Sequence, residues 1–276
     1  MKTSAADRWR RLLEAWALPE ELLEAVPDSP YGWSAELWKR RARIAREQGG
    51  DSPTAVAVRA LLPTGGSLLD VGAGTGRASL QHAVEGHPVS AVEKNPELAI
   101  GLQSRAAELG VTVDLVEGSW PEVAGAVAVH DVVVCAHVVY DVQDVEPFVS
   151  ALHRHARRGV AVELTPDHPW SGLTPYYRAL HDLERPDGPT YHDFARVVEG
   201  ACGVQPRVEM WTRPGQVWFE NWDEILAHYG KRLVLPKRRW EELHEVLAPE
   251  TTEDDGRLFV GSRDRTIVTV WWRTNR

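Results

Sequence analysis

Cysteine is nearly absent from this chain. Its 276 residues include two, Cys135 and Cys202, far apart and neither in a CxxC pair, which excludes a disulfide framework and a cysteine zinc site. Lysine is scarce too, 5 against 26 arginines, a bias of the kind codon usage produces. No apolar run approaches the roughly 18 residues of a membrane span. The opening MKTSAADRWRRLLEAW carries charges throughout and has no apolar h-region, so no secretory leader is expected and the expected location is the cytoplasm. Positive charge is in deficit. The formal net charge of −9 and a pI near 5.7 argue against a protein built to coat nucleic acid or an anionic membrane.

What is present is the composition of a folded protein. The chain is 43% hydrophobic and 26% charged, close to the globular average. Its length suits one large domain or two small ones at about 150 residues each. Twelve tryptophans are many, and such rings serve either core packing or stacking on flat ligands.

Residues 1–64 read as a helical extension. Trp9, Leu12, Leu13 and Trp16 recur at helical spacing. Pro19 opens a short second helix, Ser34 caps a third over about 34–48, and Ser52-Pro53 starts a fourth that ends at Leu62-Pro63. The third helix carries Lys39, Arg40, Arg41, Arg43 and Arg46, a solvated face or an RNA-facing patch. From Gly65 the texture changes. SLLDVG (67–72), PVSAVE (88–93), TVDLVE (112–117), HDVVVCA (130–136) and GVAVELT (159–165) are apolar strands alternating with helices. That alternation means βαβ units around a parallel sheet covered on both faces. Further strands are expected at 204–211 and 265–273, helices at 192–201 and over 220–248 with a break at Leu235-Pro236, and an exposed acidic turn at 249–256. The expected fold is therefore α/β, a seven-stranded mostly parallel sheet with an antiparallel last strand and helices on both faces. A core over 65–276 carries helical, aromatic insertions at about 166–187 and 213–263.

The informative segment is Leu68-Leu69-Asp70-Val71-Gly72-Ala73-Gly74-Thr75-Gly76-Arg77. A strand runs into a glycine-dense turn and then a helix, which lets a ligand lie against bare backbone at the carboxyl edge of the sheet. The spacing is GxGxG. Arg77 stands where the dinucleotide fingerprint GxGxxG needs its third glycine, and the phosphate loop GxxxxGK[ST] is absent. A nicotinamide site is the disfavoured alternative.

This pattern, D-V-G-A-G-T-G after an apolar strand, resembles motif I of the class I S-adenosylmethionine-dependent methyltransferases. The resemblance implies a site for S-adenosylmethionine, with S-adenosylhomocysteine as product, built from Asp70, Gly72, Ala73, Gly74 and Gly76. In AVEKNPEL, Glu93 stands where the family's ribose-binding acid ends the second strand, 21 residues after Gly72, with Lys94 beside it. A carboxylate suits a vicinal diol because it accepts two hydrogen bonds. Where the family has an adenine-binding Gly-Asp, this chain has Gly118-Ser119-Trp120. Ser119 is then a backbone-like adenine contact or a loop cap, and Trp120 an adenine stack or a core residue.

The residues after the fourth and fifth strands face the methyl acceptor in that family. No [DN]-P-P-[YFW] motif follows strand four, which counts against methylation of exocyclic amines, and Cys135 reads as a buried structural thiol. His137, Tyr140 and His168 are the candidate catalytic groups. His137 serves as a base or as a hydrogen-bonded shelf under the cofactor. Trp170, Tyr176, Tyr177 and His181 suggest an aromatic wall, or simply a segment packed on the sheet edge. No metal is expected. The expected partner is a small-molecule acceptor. An RNA acceptor contacting 39–46 with Lys231-Arg232 and 237–239 is the second reading, and a non-catalytic module that keeps the cofactor loop the third.

Overall fold

In the computed structural model, which describes residues 4–24, 26, 29–31, 37, 40, 51–214 and 217–274, α1 (Ala5–Glu14) begins at a capping box. The Ser4 side chain accepts from the Asp7 amide while the Asp7 carboxylate accepts from the Ser4 amide, so two of the orphan helix-end donors are satisfied. After α2 (Glu20–Leu23) most of the expected 34–48 helix lies outside the described residues. The next described helix, α3 (Pro53–Leu61), starts where Ser52 caps the Ala55 amide. The core then alternates: β1 (Leu68–Val71), α4 (Leu80–Val84), β2 (Val89–Glu93), α5 (Pro96–Glu108), β3 (Asp114–Glu117), β4 (His130–Ala136), α6 (Val145–His155) and β5 (Ala156–Leu164). It ends with α7 (Thr174–His181), α8 (Tyr191–Cys202), β6 (Arg207–Pro214), α9 (Trp222–Arg232), α10 (Trp240–Leu247), β7 (Thr251–Asp254), β8 (Arg257–Val260) and β9 (Asp264–Arg273).

Seven strands form one sheet in the order β3-β2-β1-β4-β5-β9-β6. The first five are mutually parallel, and β9 runs antiparallel between β5 and β6. The chain winds outward from β1 to β3 and then jumps back to place β4 on the other side of β1. The helices flanking β1 and β4 therefore depart to opposite faces, and their loops part above the carboxyl ends of these two strands. Such a switch point opens a crevice without any special residue.

One face of the sheet is covered by α1, α6 and α8. Trp9, Phe148, Leu152, Phe194 and Trp272 are all buried there, and Trp9 donates its indole N–H to the Val142 carbonyl at 2.9 Å. The other face is covered by α3, α4 and α5 through Val58, Leu61, Leu80 and Leu102. A third core lies away from the sheet. Tyr177, Ile225, Leu233, Leu235, Leu243, Leu247 and Val260 bury one another, so the two expected insertions meet as one lid with an interior of its own.

Two sequence expectations are corrected. The acidic stretch 249–256 is not a bare turn but the hairpin β7–β8. Its two-residue loop, Asp255-Gly256, has φ of 48° and 67°, the left-handed pair that an Asp-Gly hairpin turn requires. Strand β6 lies at 207–214 and not 204–211. It is an edge strand with mostly exposed side chains, so burial leaves no alternation to read. The helix after the glycine turn starts only at Leu80, because residues 72–79 form turns. Among the described residues no helix is long and apolar enough to cross a membrane.

Candidate active site

The three loop glycines do different work. A Cβ at Gly72 would meet Val138 Cγ2 at 2.3 Å, and one at Gly76 would meet Leu102 Cδ1 at 2.5 Å and Leu80 Cγ at 2.6 Å. These two let the turn pack on the chain after β4 and on α5. Gly74, with φ +56°, has nothing within 4 Å of where its Cβ would stand. It is the point where bare backbone faces open space, and all three positions lie in the left-handed region that favours glycine. Ala73 between them is buried.

Glu93 at the end of β2 reaches back across the sheet edge to this turn. Its Oε2 accepts the Gly74 amide at 2.7 Å and its Oε1 the Asn95 amide at 2.8 Å. A carboxylate offers about four acceptor positions, so both oxygens keep capacity for a diol while they brace the loop. Lys94 beside it is exposed. Asp70 is buried near the end of β1, where Ser79 and Arg77 are its polar neighbours. Burial pushes its carboxyl up to about 6. An open glycine backbone, a braced acid at the second strand and a buried acid under the turn together fit the ribosyl and amino-acid parts of S-adenosylmethionine.

Next to this turn lies a group that the sequence reading missed. Glu163, 1% exposed near the end of β5, accepts hydrogen bonds from Arg77 Nη2 at 2.5 Å and Thr54 Oγ1 at 2.8 Å. Arg213 Nη2 lies 4.0 Å away and His137 Nε2 3.0 Å away. Burial raises the pKa of the Glu163 carboxyl, but Arg77, His137 and Arg213 outweigh it and hold the group well below its ordinary value. Arg77, which departs from the dinucleotide pattern, thus ties the glycine turn to β5. The relevant signal is a lone glutamate in the apolar run 159–164.

His137 follows β4 at φ +59°, a strained conformation for a residue with a side chain. Its Nδ1 lies 3.3 Å from the Tyr140 hydroxyl. That hydroxyl also accepts from the Thr165 amide and lies 2.9 Å from Thr165 Oγ1, so the loops after β4 and β5 are pinned together. Burial lowers His137 to about 4 and raises Tyr140 to about 12. His168 stacks on Trp16, ring centroids 4.2 Å apart. Its Nδ1 accepts the Trp170 amide at 3.3 Å, and burial, with Arg185 second, lowers it to about 4. The neutral ring therefore carries its proton on Nε2 and presents a donor. The structure brings all three candidate catalytic residues to one place.

That place is a cavity of about 720 Å³, whose walls include His137, Tyr140, His168, Trp16, Trp170, Phe219, Tyr229 and Arg265. It is walled by α1, the loops after β4 and β5, the lid and the start of β9. A second cavity of about 850 Å³ opens on the other side of Glu163 and Arg77, beside α3 and β6. Tyr176, Tyr177 and His181, expected in an aromatic wall, instead serve the lid interior. Tyr177 donates to the Arg232 carbonyl at 2.5 Å and Tyr176 to Glu250 at 2.6 Å.

Other expected positions separate from the site. Trp120 is buried in the sheet core, where its indole N–H donates to the Phe148 carbonyl at 3.3 Å and its ring meets His155 edge-on. This geometry is that of a packing residue. Ser119 is half-buried, and its carbonyl accepts the Val123 amide in the turn after β3. Cys135 is fully buried in β4, as a structural thiol should be. Of the basic run 39–46 only Arg40 is described. It is buried, within 4 Å of Glu220 and Glu224 and over the Trp218 ring, so it does not face solvent. Arg232 is buried as well.

The fold, with its open glycine turn and acid-ended second strand, is that of a Rossmann-like methyltransferase. Residues 69–162, about a third of the chain, match the methyltransferase domain family. Solved structures agree on the fold. A protein from Bacillus halodurans assigned as a methyltransferase is 14% identical, with a TM-score of 0.53 over 82% of this chain and 100% of its own. The magnesium protoporphyrin IX methyltransferase of Synechocystis, solved with S-adenosylhomocysteine, is 16% identical, with a TM-score of 0.51 over 96% of this chain and 93% of its own. No curated protein matches the sequence.

Proposed function

We propose that this enzyme transfers a methyl group from S-adenosylmethionine to a small planar molecule held in the aromatic cavity, leaving S-adenosylhomocysteine. The observation that carries the reading is the position of that cavity, which opens onto His137 and Tyr140 directly after β4, on the edge where the glycine turn and Glu93 stand. When bound, the cofactor supplies an already activated methyl group. Gly74 offers backbone to it, Glu93 is the diol acceptor, and Asp70 is the buried acid beneath the turn.

Alignment and exclusion of water then supply much of the acceleration. Trp16 and His168 form one stacked wall, and the lid rings close the opposite side. His137 and Tyr140 hold the two loops in register as positioning groups, and His168 offers a hydrogen bond from Nε2. The inward-facing Arg40 and Arg232 favour this small-molecule reading over an RNA acceptor, which would need those charges at the surface.

The test is calorimetric titration with S-adenosylhomocysteine, with NAD as control. Micromolar-range binding of the first alone is expected. Gly74→Val should abolish it, and Glu93→Ala should weaken it by about 1.5–3 kcal/mol, the scale of a charged hydrogen bond. Equal binding by parent and both variants would overturn the assignment.

A further inference from the structure

Arg265, the second residue of β9, lines the aromatic cavity and forms no ion pair among the described residues. The nearby buried carboxylate Glu163 acts on it only from a distance, since Glu163 is already engaged by Arg77 and Thr54 with His137 beside it. A guanidinium that gives up hydration without a direct ion pair costs free energy, and a cavity that retains one suits an anion. The other charged groups of the wall sharpen this. Arg232 is buried, with its Nε on His228 and its guanidinium 5.7 Å from the Trp170 ring centroid, whereas Glu14 and Asp141 are exposed. The wall thus places Arg265 inside and carboxylates at the rim, a polarity that turns an acid head-group inward. Between the two lie flat surfaces: Trp170, backed by Tyr31 at 5.2 Å, and the Trp16–His168 pair.

Resting on the methyltransferase reading above, we infer that the acceptor is a planar aromatic acid whose carboxylate is held by Arg265. The rings of the walls sandwich the flat body, and Arg265 fixes which end enters. A guanidinium recognises a carboxylate through parallel N–H donors, so the site discriminates an acid from its neutral amide, which has the same shape. The neutral histidines of the wall agree with this. His137 and His168 are held near 4 by burial and add no competing positive charge, so the preference resides in Arg265.

The experiment titrates naphthalene carboxylate and the matching carboxamide into protein saturated with S-adenosylhomocysteine. The carboxylate is expected to bind at least about tenfold tighter, near 1.4 kcal/mol. Arg265→Gln should bring the two probes to about equal affinity while S-adenosylhomocysteine binding, which reports a folded protein, is unchanged. Arg265→Lys should keep part of the preference, as a point charge without the fork. Equal affinity of the two probes for the parent, a preference that survives Arg265→Gln, or no binding of either probe to cofactor-saturated protein would each overturn the inference and leave the cofactor assignment standing. Failure of S-adenosylhomocysteine itself to bind would overturn the methyltransferase reading, and this inference with it.

Discussion

Glu163 is the residue on which most of the site's polar geometry converges. It answers Arg77 from the glycine turn, Thr54 from α3 and His137 from the loop after β4. Breaking a buried ion pair leaves an uncompensated charge, at a cost of about 3–5 kcal/mol, and Glu163→Gln should lose stability on that scale in denaturant unfolding at neutral pH. The sign with pH follows from the lowered pKa. Stabilisation by this carboxylate is fully present above the ordinary value of 4.5 and fades as the pH falls below it. The gap between parent and variant should therefore narrow in acid. A constant gap would mean that the loss comes from packing and not from charge. None of this was readable along the chain, because the partners of Glu163 stand 86 and 109 residues away and composition carries no trace of such pairings.

At the scale of elements, what could be read was what is local. Gly72, Gly74 and Gly76 sit in one turn, and the acid ending β2 follows at the spacing a single strand–helix–strand unit imposes. The turn announced itself for that reason. Its division of labour did not, since it depends on Leu80, Leu102 and Val138 arriving from three other segments. A paired substitution separates backbone from packing. Gly110 has φ +69° and open space around its Cβ position, whereas Gly76 has φ +80° and contacts at 2.5–2.7 Å. Both alanine variants bear the left-handed backbone penalty of about 1–2 kcal/mol. Gly76→Ala adds overpacking of about 1–3 kcal/mol, so its melting temperature should fall clearly further than that of Gly110→Ala. Similar losses in the two would show that Leu80 and Leu102 move aside. The hairpin β7–β8 teaches the opposite lesson. Asp255-Gly256 is itself a strong turn signal, but the acidic residues around it lack the apolar alternation that marks strands.

For the molecule as a whole, the aromatic cavity is a place where burial shifts the titrating groups away from neutrality. His137 and His168 lie near 4, His228 near 3 and Tyr140 near 12, each shifted first by burial. Methyl transfer at saturating cofactor and acceptor should accordingly be level between about pH 7 and 10, because none of these groups changes protonation there. A limb centred near the ordinary histidine value of 6.5 would place a working imidazole base in the site and sink the positioning role given to His137. The class of fold was legible in the strand–helix rhythm. The cavity was not, because its wall is assembled from the first helix, two loops, a lid and the last strand.

That patchwork wall has a consequence for redesign. The glycine turn and the acid that braces it fall within one short stretch, from Asp70 to Glu93, while the cavity wall is drawn from segments before and after it. Substitutions at Trp16, Trp170, Phe219 or Arg265 can therefore recontour the cavity while the turn and its brace keep their own contacts.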